Sequence, residues 1–340
     1  MARGGSIYPA FQAGSLWRRS LVFLLFLHWV IWVSANTSSQ DSPHAQKVYT
    51  GIYLMNVYDL NINAYSYYAD FYLWFRWKGD INPENIEFVN AVEKWGFTKE
   101  LFYEEPKELE NGYFYNGMRI EGRFYHSFQL ADFPLDKHTL EIRIENVDYP
   151  VDSLVYLPDT GRFLMREDFS IPGWSIDSAK MTSHHNSYRT DFGEPNRSAT
   201  VFSNFTFLLN INRPKSYFTL KLMLPLLVVI LASLGGLFIF PPYIDARISL
   251  PIGGLLSCVF LQQSYGSALP DVGYMVLMDR IYLVSYLLIA AIMLRVILVS
   301  NSLTRLGESH YQNVYIKDRR LAGLFFFLFL LIVFLLVILR

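Results

Sequence analysis

Cysteine is nearly absent. Cys258 stands alone in 340 residues, so no disulfide can form within one chain. Charge is scarce too: Asp, Glu, Lys and Arg make up 17% of the residues, against 52% hydrophobic ones, with 27 Phe and 23 Tyr. So few charges cannot cover one large soluble surface, which points to a membrane protein with a sizeable extramembrane part. The formal net charge of −1 argues against a nucleic-acid partner, which would call for a basic stripe. No Ser/His/Asp set, Gly-rich phosphate loop or paired-cysteine zinc spacing is present, so an enzyme, a cofactor and a metal are not expected. His184-His185 could start a metal site, but adjacent strand residues point to opposite faces, which favours plain surface.

The amino end has an apolar run, Leu21 to Val33, behind Arg18-Arg19 and ahead of the small residues Ser34 and Ala35. The run falls short of the ~20 residues that span a bilayer, and its flanks are those of a secretory signal over residues 1–35. From Asn36 to Arg213 no long apolar run occurs. Short period-2 segments recur instead: Val48–Tyr58, Tyr65–Trp77, Met118–Leu130, Thr139–Asn146, Trp174–Thr182 and Thr200–Asn212. They predict an all-β, immunoglobulin-like sandwich over 36–215. Roughly 180 residues can bury a full core without disulfide staples.

Near residue 215 the character changes. Leu222–Phe240 and Leu321–Leu339 are nearly pure apolar sequence, and Tyr274–Val299 is a third run. Ile248–Gln263 is weaker, with Ser249, Pro251, Gly253, Gly254, Ser257, Gln262 and Gln263. Such a helix is poor against lipid but suits a water-lined position among other helices. The reading is a four-helix transmembrane bundle over 216–340, with helices near 216–240, 246–264, 273–299 and 320–340 and a short loop 300–319. Arg305, Lys317, Arg319 and Arg320 place that loop in the cytoplasm. The sandwich and the carboxyl end then lie outside, extracellular or periplasmic. Pro251 either bends the second helix by freeing the carbonyl of Arg247 or, if the helix begins near Ser249, is a first-turn proline.

Several motifs in order carry a family resemblance: WFRWKG (74–79), NPENIEFVNAVE (82–93), FPLD (133–136), Arg213 ahead of the first helix, Pro225 inside it, DARISL (245–250) and Leu269-Pro270. The chain resembles the pentameric ligand-gated ion channels, the Cys-loop receptor superfamily. In animal receptors two cysteines close the signature loop; they would fall at His126 and Leu140, and both are absent here. With a cytoplasmic loop of about twenty residues, the pattern resembles a prokaryotic branch. The loop must then be held by packing of Phe133 and Leu135 and by the fixed φ of Pro134.

The resemblance implies a homopentamer around a central pore in the cell membrane, opened by a small-molecule agonist or a pH change and passing cations. The ligand site would lie between subunits. One face would carry Phe88, the segment Glu145, Asn146 to Tyr149, and Tyr188 and Phe192; the neighbour would supply Tyr72 and Arg119. Which face Tyr72 presents depends on register. Asp245, Ser249, Gly253, Leu256, Phe260, Gln263 and Ser267 would line the pore, with Asp245 selecting ions and Leu256 and Phe260 forming the gate. Coupling would run through Phe133, Pro134, the pair Asp136 and Arg213, Asp59 as a third member, and Pro270. Arg247 would point away from the lumen. An alternative is a non-conducting, membrane-anchored binding or accessory subunit. Sequons stand at Asn36, Asn196 and Asn204.

Overall fold

The computed structural model describes residues 45–161, 163–190, 193, 200–306 and 308–340. The expected signal segment, Phe192 and the sequons at Asn36 and Asn196 lie outside them.

Among the described residues, ten strands form two sheets: β1 Gln46–Asn61, β2 Ser66–Trp77, β3 Ile86–Phe88, β4 Thr98–Leu101, β5 Lys107–Glu108, β6 Phe114–Tyr125, β7 Lys137–Asn146, β8 Leu154–Pro158, β9 Ser175–Tyr188 and β10 Thr200–Asn212. The first sheet runs β4-β6-β2-β1-β8, with β5 also on β6; the second runs β3-β7-β10-β9. The pairs are antiparallel, apart from the parallel β1–β8 edge.

Period-2 patterning explains the core. On β2, Phe71, Leu73, Phe75 and Trp77 point inward; Ile142 and Ile144 of β7 and Phe205, Phe207, Leu209 and Ile211 of β10 meet them. This alternation settles the register of Tyr72, which lies on the outer face with Tyr68 and Trp74. Phe71, Phe88, Phe97 and Phe124 interlock with centroids 5.0–6.0 Å apart. The run expected over Met118–Leu130 ends as a strand at Tyr125, because the His126 amide turns to the Tyr65 carbonyl at 2.8 Å. Strands β3, β4, β5 and β8 are too short for a periodic signal; β4 is exposed throughout.

Four long helices follow among the described residues: α1 Tyr217–Phe238, α2 Ile244–Gly266, α3 Leu277–Leu306 and α4 Tyr311–Ile338. Each is long and apolar enough to cross a bilayer. The first turns of α1, up to Met223, are wound as a π-helix just before Pro225, which has no amide hydrogen to give. The segment expected as the loop 300–319 is largely helical, since α3 continues to Leu306 and α4 begins at Tyr311. Pro251 lies well inside α2, so the first-turn alternative does not hold. Gly236 makes the close crossing possible there: a Cβ would stand 2.5 Å from the Arg247 carbonyl oxygen.

Candidate functional site: the junction, the pore helix and the hairpin pocket

The loop 126–138 stands without a disulfide because aromatic and ionic packing close it. Where the clasp would start, His126 meets Phe128 (4.6 Å) and His138 (5.5 Å) edge-on, and His138 packs on Trp174 at 5.4 Å. Leu140, the other expected position, is a buried core residue. Burial, helped by His138 and Arg143, lowers the His126 pKa to about 4, so the ring is neutral at pH 7.

The turn itself plugs into the helices. Phe133 is buried and stacks on Tyr265 at 6.1 Å, which stacks on Tyr282 at 5.4 Å. The bond before Pro134 is cis, and Pro134 is buried. Leu277 N donates to Ala131 O at 2.8 Å, Met278 N to Phe133 O at 3.3 Å, and Leu130 N to the Tyr274 hydroxyl at 3.1 Å. These contacts fall at the start of α3, beyond Pro270, which is half-buried. Asp279, at the third position of α3, accepts from the Val276 amide (3.1 Å) and from the Tyr265 hydroxyl, tying the ends of α2 and α3 together.

Beneath the turn, Arg213 Nε donates to Asp136 Oδ1 at 2.8 Å, and the guanidinium lies 4.3 Å from the Trp174 ring and 5.0 Å from Phe133. The third member of this cluster is not Asp59. Asp59 sits in the left-handed region (φ 46°) where the β1–β2 register slips, and it pairs with Arg123 at 3.3 Å. The place is taken by His138, whose Nε2 is 2.7 Å from Asp136 Oδ2. Its position two residues after Asp136, which directly precedes β7, was the available signal, because alternate residues of an extended chain share a side.

Of the seven expected pore residues, Asp245, Ser249, Gly253, Leu256, Phe260 and Gln263 lie on α2 and Ser267 caps its end; all are exposed in the single chain. Arg247, Pro251, Gly254, Cys258 and Tyr265 form the buried face. Gly254 lets α2 rest on α1, since a Cβ would meet Ser233 Oγ at 1.9 Å. Arg247 is 1% exposed and bound to Asp318, so it points into the bundle. Ser249 Oγ donates back to the Asp245 carbonyl at 2.6 Å.

The hairpin region divides. Glu145, buried on β7, accepts from Asn204 Nδ2 (2.7 Å), Asn186 Nδ2 (2.8 Å) and the Tyr188 hydroxyl (3.0 Å). Tyr188 also meets Phe202 edge-on at 6.0 Å; burial and the Glu145 hydrogen bond push its pKa up to about 12. Asn186, Asn204 and Phe202 are neighbours that sequence reasoning missed, because strand pairing alone brings β9 and β10 beside β7. Asn204 is buried, so that sequon is closed to glycosylation in the folded chain. Asn146 is turned to shaping the chain: its Oδ1 accepts from the amides of Asp148 and Tyr149, each at 2.9 Å, and Nδ2 donates to Asn82 O at 3.1 Å. Tyr149 is half-buried against the core. Phe88 departs from expectation. It is 5% exposed within the phenylalanine cluster, although it also borders a cavity of about 130 Å³ with Ile86, Glu87, Ala91, Phe97 and Lys99. Tyr72 and Arg119 lie on the other sheet. Arg119 holds Asp70 through two bonds (3.0 and 2.8 Å) and lies 5.8 Å from the Tyr72 ring.

Sequence comparisons find relatives of this chain among known proteins. The chain is 20% identical over 308 residues to γ-aminobutyric acid receptor subunit alpha-2 from Bos taurus, covering 81% of this chain and 64% of that subunit. Its relatives are γ-aminobutyric acid receptor subunits. The gamma-3 subunit from Homo sapiens is 25% identical over 170 residues, covering 48% of this chain and 33% of the subunit. The beta subunit from Caenorhabditis elegans is 22% identical over 169 residues, 49% and 29% of the two chains. The chain therefore spans less than two thirds of the length of these relatives. No protein-family model matches. With two sheets and four apolar helices, the chain has the receptor architecture and is a multi-pass membrane protein, and its relatives are receptor subunits rather than enzymes.

Proposed function

We propose that this chain is the subunit of a homopentameric, cation-selective channel gated by an extracellular ligand. The observation that carries this is the uncovered face of α2. Seven positions from Asp245 to Ser267 lie open in one chain, and four of them carry polar or ionic side chains. The hydroxyls of Ser249 and Ser267 return to backbone carbonyls, but facing lipid the Asp245 carboxylate and the Gln263 amide would sit in a medium that offers no hydrogen bonds. Around an axis, five copies enclose them and give water a path. Asp245 then forms a carboxylate ring at one mouth, which attracts cations and excludes anions. Leu256 and Phe260 form two apolar rings that close the resting pore by excluding water.

The agonist would act beneath the β9–β10 hairpin, where Glu145 and Tyr188 supply a carboxylate and an aromatic hydroxyl, and a neighbouring copy would bring Tyr72 and Arg119. The relatives are named for γ-aminobutyric acid, and a site with one buried carboxylate suits the ammonium end of an amine or amino acid. The loop without cysteines and the short link between α3 and α4 support the prokaryotic branch, and the basic residues near 317–320, in the first turns of α4, support a cytoplasmic link and a sandwich outside.

The test is purified protein in planar bilayers, with native mass measured in mild detergent. A pentamer whose agonist-evoked currents reverse near the sodium or potassium potential is expected. A monomer, or specific binding without unitary current, would return the chain to the class of non-conducting binding subunits.

A further inference from the structure

Three ionic side chains meet inside the bundle at the end far from the sandwich. Asp318 of α4 is fully buried, Arg247 of α2 is 1% exposed, and Arg295 of α3 is about one-third exposed at its side chain, 32%. Asp318 Oδ2 takes a short bond from Arg247 Nη2, while Oδ1 accepts from Arg295 Nε at 2.9 Å and Nη2 at 2.8 Å. Arg247 Nε also donates to the Gly236 carbonyl at 3.3 Å. A guanidinium can stay in so dry a place only while a carboxylate and carbonyls hold it.

Asp245 stands two residues before Arg247, which is about 200° around the helix and 3 Å along it. The two side chains therefore leave α2 on opposite faces, Asp245 exposed and Arg247 buried. Were Arg247 to turn to the exposed face, its charge would lie beside that of Asp245 and cancel it. We propose that Asp318, on the helix farthest along the chain from the pore segment, is a positioning residue for ion preference. It holds Arg247 inside the bundle and leaves Asp245 to set the sign of the pore mouth. Losing the Asp318 charge leaves Arg247 without its carboxylate partner and free to turn toward the face that carries Asp245, an effect repeated in every copy by symmetry. This inference rests on the channel reading above.

The test is the reversal potential across a sodium chloride gradient, for the full chain in bilayers, with Asp318→Asn and Arg247→Gln. Asp318→Asn frees Arg247, and the cation-to-anion permeability ratio should fall roughly tenfold or more, the scale on which a focused local field acts. Arg247→Gln leaves Asp318 paired with Arg295 and should keep the wild-type ratio. Asp318→Asn channels with the wild-type ratio would overturn the proposal. So would a clear rise in cation preference for Arg247→Gln, which would show that Arg247 already faces the lumen. If Asp318→Asn does not assemble, Arg247→Gln decides alone. A wild-type channel that follows the chloride potential, or passes no current, strikes the channel reading itself and is told apart at the first trace.

Discussion

The sandwich and the helical bundle solve burial in opposite ways. In the sandwich, alternation sends every second side chain into a core shared by two sheets, and that core is closed within one chain. The bundle closes only one side of α2; the residues opposite its buried face are left open. The sandwich core is closed within one chain, while the bundle leaves one face of α2 uncovered. The charges follow the same division. Ion pairs on the sandwich surface, such as Arg123 with Asp59 and Arg76 with Asp159, are partly exposed and contribute little. The clusters around Asp136, at the join, and Asp318, at the far end of the bundle, are buried.

Breaking the join has the largest expected effect. Asp136→Ala leaves the nearly buried Arg213 without its carboxylate, at a cost of roughly 3–5 kcal/mol. Gating or assembly should fail while agonist binding to the sandwich persists. Normal evoked currents in this variant would show that the loop transmits through packing alone.

Acid should weaken the sandwich side of the join next. The folded His126 resists protonation down to about pH 4, whereas the unfolded ring takes up a proton near its ordinary value of 6.5. The unfolded state therefore binds more protons in this window, and stability falls as pH drops from about 6.5 to 4, by on the order of 3 kcal/mol. In urea unfolding followed across that range, His126→Phe should flatten the pH dependence. An unchanged slope would assign it to other groups.

Gly51→Ala confines a change to the sandwich. The added Cβ would stand 2.1 Å from the ring of Trp74, whose Nε1 is tied to Asp159 at 3.0 Å. Overpacking of this kind costs roughly 1–3 kcal/mol. The thermal midpoint of the sandwich should drop while single-channel conductance stays as in the wild type; a changed conductance would mean the two regions are not separable.

Leu256→Ser should cost the fold little and bias the pore instead. Wetting the apolar ring favours the open state, so resting leak should appear or agonist sensitivity rise, by roughly tenfold on the usual scale of coupling between sites. If neither moves, and Phe260→Ser behaves the same, the constriction lies elsewhere on α2.

Some features needed only local chemistry. The alternation in β2 and β10, the four apolar runs and the single cysteine were legible because each depends on residues close along the chain. Hence Thr200–Asn212 was placed to the residue, and the stripe from Asp245 to Ser267 follows from helical periodicity. The same local reasoning missed β4, whose four residues are too few and too polar for a period to show, and drew a loop at 300–319 because charge was read as solvent contact. Tertiary packing overrode that reading: Asp318 is polar yet buried, since Arg247 and Arg295 arrive from helices distant in sequence. It also chose His138 over Asp59 beside Asp136, put Phe88 in the core and turned Asn146 toward its own loop. Composition and period determine which face of an element is apolar. Which charge meets which, and whether an aromatic ring faces a core or a ligand, is decided by the neighbour across the gap, and that neighbour is specified only when the chain has folded.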